Sequence, residues 1–225
     1  MMNISVDAEH PLTIPVGEHT LDGILHVPRN AQGIVLFVHG SGSGRTSTRN
    51  QFVAKVLHEA KLATLLFDLL TPEEEREDQK TLNYRFDILF LATRLVEATN
   101  WIVQQPIAHG LPVGYFGAST GGGAALVAAA KKANLVKAVV SRGGRPDLAG
   151  DYLAQVKAPT LLIVGGNDHP VIEMNEKALQ QLQVTKCLEI IPGATHLFEE
   201  PGTLNIAANL AQNWFVEHFA LSDGG

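Results

Sequence analysis

The sequence predicts an α/β protein: a mostly parallel central sheet with helices on both faces and an antiparallel hairpin at its N-terminal edge. Three observations lead there. Six short runs, at 34–38, 62–67, 113–116, 136–140, 160–164 and 187–191, are rich in apolar residues, several at nearly every position. Strands read that way when helices cover both faces. Amphipathic stretches of helical period separate these runs. No internal repeat, low-complexity tract or linker divides the 225 residues, so residues 1–225 are read as one domain.

Each element has its own signal. Residues 12–16 and 21–27 form the hairpin, joined through Gly17 and Glu18. After the first buried strand, a helix over 50–60 puts Phe52, Val53, Val56 and Leu57 on one stripe. The acidic run at 73–78 sets Glu73, Glu74, Glu75, Glu77 and Asp78 against Arg76, leaving −4 in six positions, and reads as a solvated loop or helix start. A longer helix over 84–103 repeats Ile88, Leu91, Leu95 and Ile102. Thr120 opens an alanine-rich helix to 132, Pro170 precedes one over 171–182, and the last spans 203–219. The link over 142–159 is too short for a large lid.

Composition excludes several functions. Hydrophobic residues make up 45% of the chain, enough for a sizeable core. Lys and Arg number 17 against 23 Asp and Glu, a net charge of −6, and no basic cluster stands out. A nucleic-acid partner, which needs a basic face, is not expected. The single cysteine, Cys187, falls in a strand pattern, reads as a small buried residue, and rules out an internal disulfide or a multi-cysteine zinc site. No metal is expected, because no His-x-His or His-Glu-x-x-His spacing occurs. Residues 1–10 lack the basic and apolar regions of a signal peptide. Residues 100–130 contain no Asp, Glu, Lys or Arg, but Pro106, Pro112 and several glycines break the run. A soluble cytoplasmic protein without a membrane partner is the expectation.

The chemistry concentrates just after the strands. Gly117-Ala118-Ser119-Thr120-Gly121 lies between a strand and a helix, the setting of a nucleophile elbow. A serine nucleophile needs a base, and the base needs an orienting acid. Asp168 follows the strand 160–164, and His196 follows 187–191. The chain order serine, acid, histidine and the strand-end positions bring all three to one edge. Two backbone donors for an oxyanion are expected from Thr120 and from Ser41, in the loop His39-Gly40-Ser41-Gly42-Ser43-Gly44. His39 reads as a brace of that loop, Asp68 as a loop-fixing acid, and Asp147 as a weaker substitute for Asp168. Arg142, after the strand 136–140, is a candidate for gripping an anionic group on the substrate. The same glycine-rich loop lacks the second glycine and lysine of a phosphate loop, and position 45 is Arg rather than the third glycine of a dinucleotide site.

Taken together, these residues resemble the α/β-hydrolase superfamily along nearly the whole chain. The match is to its small lidless branch related to dienelactone hydrolase, through His39-Gly40-Ser41, Gly117 to Gly122, Gly165-Gly166-Asn167-Asp168 and Gly193-Ala194-Thr195-His196. The segment Ser141 to Asp147 also resembles a subgroup sometimes attached to a phosphoribosyltransferase-type domain; these residues contain no such domain. Dienelactone hydrolase proper uses a cysteine nucleophile, and Ser119 stands in its place here. The resemblance implies a cofactor-free serine hydrolase acting on a small-molecule carboxylic ester or lactone. An acyltransferase with the same triad, and a non-catalytic binding module on the same fold, are the alternatives.

Overall fold

The computed structural model describes residues 5–221. Residues 1–4, part of the segment read as lacking a signal peptide, lie outside it. Eight strands form one sheet in the order β1-β2-β4-β3-β5-β6-β7-β8. β1 (Glu9–Val16) and β2 (His19–His26) pair antiparallel across the Gly17-Glu18 turn, with Val16 opposite His19. β2 joins β4 (Leu62–Phe67) antiparallel. From β4 onward the pairs are parallel, through β3 (Gly33–Val38), β5 (Val113–Ala118), β6 (Val136–Arg142), β7 (Thr160–Gly165) and β8 (Lys186–Ile191). β3, β4, β5 and β7 are buried throughout, which accounts for their unbroken apolar runs. β8 is an edge strand and only partly buried. Cys187 is therefore half-buried rather than enclosed, with its thiol against Glu189.

Two cores separate on the two faces. One packs α3 (Ile88–Ile102) and α4 (Thr120–Lys131) on the sheet, with Leu91, Leu95, Ala125 and Tyr115 buried between them. The other packs α1 (Thr48–Glu59) and α6 (Thr203–Ala220) through Val53, Leu57, Ala211 and Phe215. α5 (His169–Gln181) follows β7, and short 3₁₀ segments at Pro106–Ala108 and Pro146–Gln155 fill links read from sequence as loops. No helix of the described residues is long and apolar enough to cross a membrane.

The acidic run departs most from expectation. Of the two readings, loop or helix start, it takes the second, and it continues as a full helix, α2 (Pro72–Thr81), with Glu73, Glu74 and Glu75 in the first turn. Thr71 caps it: its hydroxyl accepts from Glu74 N–H at 3.2 Å, and the Glu74 carboxylate accepts from Thr71 N–H at 2.8 Å. Pro72 suits the first turn. Asp78 is buried, not solvated: it accepts from Tyr84 N–H and Arg85 N–H at 2.7 and 3.0 Å and pairs with the Arg85 guanidinium. Glu74 reaches Arg94 of α3 at 2.6 Å. These bonds occupy 82–87 with a turn, so α3 begins at Ile88 with Asp87 as its cap instead of near Tyr84.

The chain leaves β3 for β4 on one side and returns to β5 on the other. The loops after β3 and β5 thus diverge at their carboxyl ends and open a crevice, the usual ligand position in such sheets.

Candidate active site

Ser119 sits at the tip of the turn from β5 into α4, with φ 52° and ψ −125°. A side chain at positive φ is strained, and surrounding contacts must hold it there. Those contacts explain two glycines. A Cβ on Gly117 would lie 2.6 Å from the Gly121 carbonyl and Gly122 Cα, and one on Gly121 would lie 2.1 Å from the Val38 carbonyl. Only glycine lets the elbow close against itself and against β3. The Ser119 carbonyl then accepts from Gly122 N–H and Arg145 N–H, both at 3.0 Å, which fixes the turn from two directions.

Asp168 ends the β7 turn as the cap residue of α5, and His196 follows β8. The Asp168 carboxylate lies 2.6 Å from His196 Nδ1. The turns carrying them are tied together as well: Asn167 N–H donates to the Ala194 carbonyl at 2.9 Å, and Asn167 Nδ2 to the Gly193 carbonyl at 3.0 Å. Nδ1 is occupied, so Nε2 is the ring nitrogen left for a reacting group. Ser119 and His196 line one cavity of about 260 Å³. Among the described residues no direct Ser119–His196 hydrogen bond closes, a looseness common before substrate tightens such sites. Asp147, the weaker candidate, is committed elsewhere by a two-pronged pair with Arg145 at 2.9 and 2.8 Å.

The loop after β3 is built as a rigid wall. His39 is buried; its Nε2 accepts from Leu69 N–H at 3.0 Å, so its proton sits on Nδ1 and donates to the Gly40 carbonyl at 2.9 Å. Burial lowers its pKa, more than the Gly40 carbonyl opposes, so the ring is neutral and serves as a brace. Asp68 accepts from Arg45 N–H and pairs with the Arg45 guanidinium, which also reaches Asp22 at 3.2 Å. Ser41 and Thr120, the two expected oxyanion donors, do meet. Ser41 N–H donates to the Thr120 hydroxyl at 3.1 Å, a contact the spacing gave no sign of.

Arg142 belongs to the end of β6 and is 7% exposed, with Asn50 Oδ1 at 3.5 Å from Nη2. The guanidinium lies 5.8 Å from the ring centres of both Phe116 and Phe198, and its Nε and Nη1 have no partner. Burial, then the nearby Arg49, pushes its pKa down to about 10, so it remains a cation at neutral pH. It lines the Ser119 cavity together with Arg49 and Asn50, residues that sequence reasoning did not single out. Their signal was their place in the first turn of α1, directly after the wall loop. Among the described residues no three His, Cys, Asp or Glu side chains are grouped as a metal would require.

Known proteins resemble this chain to different depths. Two Mycobacterium tuberculosis proteins, from strains CDC 1551 and H37Rv and both named as phosphoribosyl transferases, are 57% identical over 211 residues, covering 93% of this chain and 46% of theirs. The chain therefore spans about half the length of the curated relatives it matches. The crystal structure of dienelactone hydrolase from Anabaena variabilis is 62% identical, with a TM-score of 0.92 over 94% of this chain and 98% of that one. Est1E from Butyrivibrio proteoclasticus, 17% identical with a TM-score of 0.78 over 93% of this chain and 99% of that one, shares the fold. The family model for the dienelactone hydrolase family matches residues 21–220, nearly the whole sheet and every loop of the site. On that match and the 62% identity, the chain belongs to the dienelactone hydrolase family.

Proposed function

We propose that the protein is a serine hydrolase that cleaves a small carboxylic ester or lactone through an acyl-enzyme. One observation carries this reading: Ser119, held at positive φ on its elbow, shares a cavity with a histidine whose Nδ1 is hydrogen-bonded to a carboxylate. Ser119 Oγ attacks the carbonyl carbon while His196 Nε2 takes its proton. Asp168 keeps the proton on Nδ1 and stabilises the imidazolium that forms. The carbonyl oxygen, now negative, takes the N–H groups of Thr120 and Ser41, displacing the Thr120 hydroxyl from the latter. The C–O bond breaks, His196 returns the proton to the departing alcohol, and water repeats the sequence on the acyl-enzyme.

The acyl side is read from Arg142. A buried cation without a counter-charge is costly, and an anionic group on the substrate would supply the missing partner through a two-pronged contact. The reading is therefore of a short acyl group bearing a carboxylate or a similar anion. Assays on acetate, butyrate and hemisuccinate esters test it, with Ser119→Ala as control. Turnover by the wild type, highest on the hemisuccinate and absent in the variant, is expected. Equal turnover by a folded Ser119→Ala protein would overturn the mechanism.

A further inference from the structure

The cavity at Ser119 is the smaller part of a longer cleft. Ser41, Ser43, Ser47 and Arg49 line it on one side and, on the other, line a second groove of about 700 Å³. The second groove continues from the wall loop to Asp22 of β2, Asp68 after β4 and Glu75 of α2. Its chemistry differs from that of the first. Hydroxyls from the loop and the start of α1, Thr46 and Thr48 among them, line it with the carboxylates of Asp22, Asp68 and Glu75 and the guanidiniums of Arg45 and Arg49. No Phe, Tyr or Trp lines it, and His39 is its one ring-bearing aromatic residue. Three carboxylates stand against two guanidiniums there, and Leu70 and Pro72 are its only aliphatic side chains, so neither a strong anion nor a long alkyl chain is matched by its walls. A neutral group with many hydroxyls is, since each hydroxyl both donates and accepts.

The groove is also preformed. Arg45 ties the loop to Asp68 and Asp22, and Gly44 sits so close to Asp68 that a Cβ would be 2.7 Å from its carboxylate. A wall held in place before binding loses little freedom when a ligand arrives.

We infer that this groove holds the alcohol half of an open-chain ester, and that this half is an uncharged polyol or sugar. The inference rests on the Ser119 reading above. An ester attacked at Ser119 has two halves that part when the C–O bond breaks, and the cleft has two compartments that meet at Ser41, Ser43, Ser47 and Arg49, on the loop whose Gly40 abuts Ser119. The acyl half stays bonded to Ser119 Oγ in the small compartment. The alcohol half receives the proton from His196 and leaves along the groove. A small lactone, with both halves in one ring, occupies the small compartment alone and gains nothing from the larger one.

A matched pair of substrates tests this: the hemisuccinate of glucose at O6, and the hemisuccinate of cyclohexylmethanol. The acyl group is the same in both, both alcohols are primary, and the rings differ in their hydroxyls and in the one ring oxygen. Two or three net hydrogen bonds from those hydroxyls are worth about ten- to a hundredfold in binding. The expected result is a kcat/KM about tenfold or more higher for the glucose ester, expressed in KM. Thr46→Leu combined with Glu75→Leu, which strips two polar groups from the groove wall, should remove that preference by slowing the glucose ester, without slowing the cyclohexylmethyl ester. Equal kcat/KM for the two esters overturns the inference, as does a double variant that slows both alike or a δ-valerolactone turned over faster than either. In each of those cases continued hydrolysis that depends on Ser119 leaves the parent reading standing. Failure to hydrolyse any ester or lactone, with a correctly folded protein, removes both.

Discussion

Two arginines are buried to nearly the same degree, Arg94 at 6% exposure and Arg142 at 7%, and the chain treats them in opposite ways. Arg94 is given Glu74 at 2.6 Å and packs over the Phe90 ring. Arg142 has no acidic partner among the described residues, only an amide oxygen at 3.5 Å and two aromatic rings. The same contrast extends around each of them. On the side of α2, Asp78 meets Arg85 and Thr71 meets Glu74, so that the polar groups complete one another. Around the elbow, Ser119, His196 and Arg142 line one cavity, with no partner for Nε and Nη1 of Arg142 among the described residues. Burial alone does not separate structure from function. A buried charge that the chain pairs for itself, as Arg94 is with Glu74, holds the fold, and one left without a counter-charge at the wall of a cavity, as Arg142 is among the described residues, points to a ligand.

The largest expected effect is on the open side. His196→Ala should lower kcat by roughly 10⁴–10⁶, Asp168→Asn by about 10⁴, and the double variant by little more than His196→Ala, since the groups act as a unit. Thermal melting should hardly move, because these changes remove no core. A large fall in melting temperature would show that these residues carry structure and would break the division. Next is Asp78→Ala on the completed side. It leaves the Arg85 guanidinium without its counter-charge and should cost about 3–5 kcal/mol of stability in chemical denaturation. Activity per folded molecule should change only severalfold.

Arg142→Met sharpens the contrast further. It should leave stability unchanged or raise it, because an unpaired buried charge is replaced by an apolar chain of similar length. Its kcat/KM on an anionic ester should fall about 30- to 1,000-fold, with a far smaller change on a neutral ester. Loss of stability with equal effects on both esters would move Arg142 to the structural side.

The smallest effect concerns a completed group away from the site. His58 donates to or accepts from the Thr64 hydroxyl at 2.7 Å and stacks on His26 with ring centres 3.8 Å apart. Burial, then His26 and Lys55, holds its pKa down to about 4 against the ordinary 6.5. The unfolded chain therefore binds the proton first as pH falls. Stability is full above about 6.5 and is lost as pH falls toward about 4. Melting temperatures across that window should drop less steeply in His58→Gln than in wild type; identical slopes would remove His58 from the acid response.

The sequence made the open side more legible than the completed side. Ser119, Asp168 and His196 each follow an apolar strand directly, and a parallel sheet brings all its carboxyl ends to one edge, so strand order alone assembles them. The elbow was legible because Gly117 and Gly121 leave the backbone room. For α2 only a helix start was legible: a helix made of acids shows no apolar stripe to mark its length, and its burial of Asp78 depends on Arg85 folding back across a turn. The isolation of Arg142 was also hidden: its neighbours Asn50, Phe116 and Phe198 come from three distant segments, and no local pattern reports a missing partner.

The central claim is that Ser119 is an activated nucleophile and not an idle turn residue. A fluorophosphonate probe reads this directly, because it bonds only to a serine whose proton a neighbouring base removes. Wild-type protein should gain one probe mass, mapped to the peptide containing Ser119, and labelling should fall sharply in folded His196→Ala and vanish in folded Ser119→Ala. Labelling of Ser119→Ala to the wild-type extent, or no labelling of the folded wild-type protein, would contradict the account.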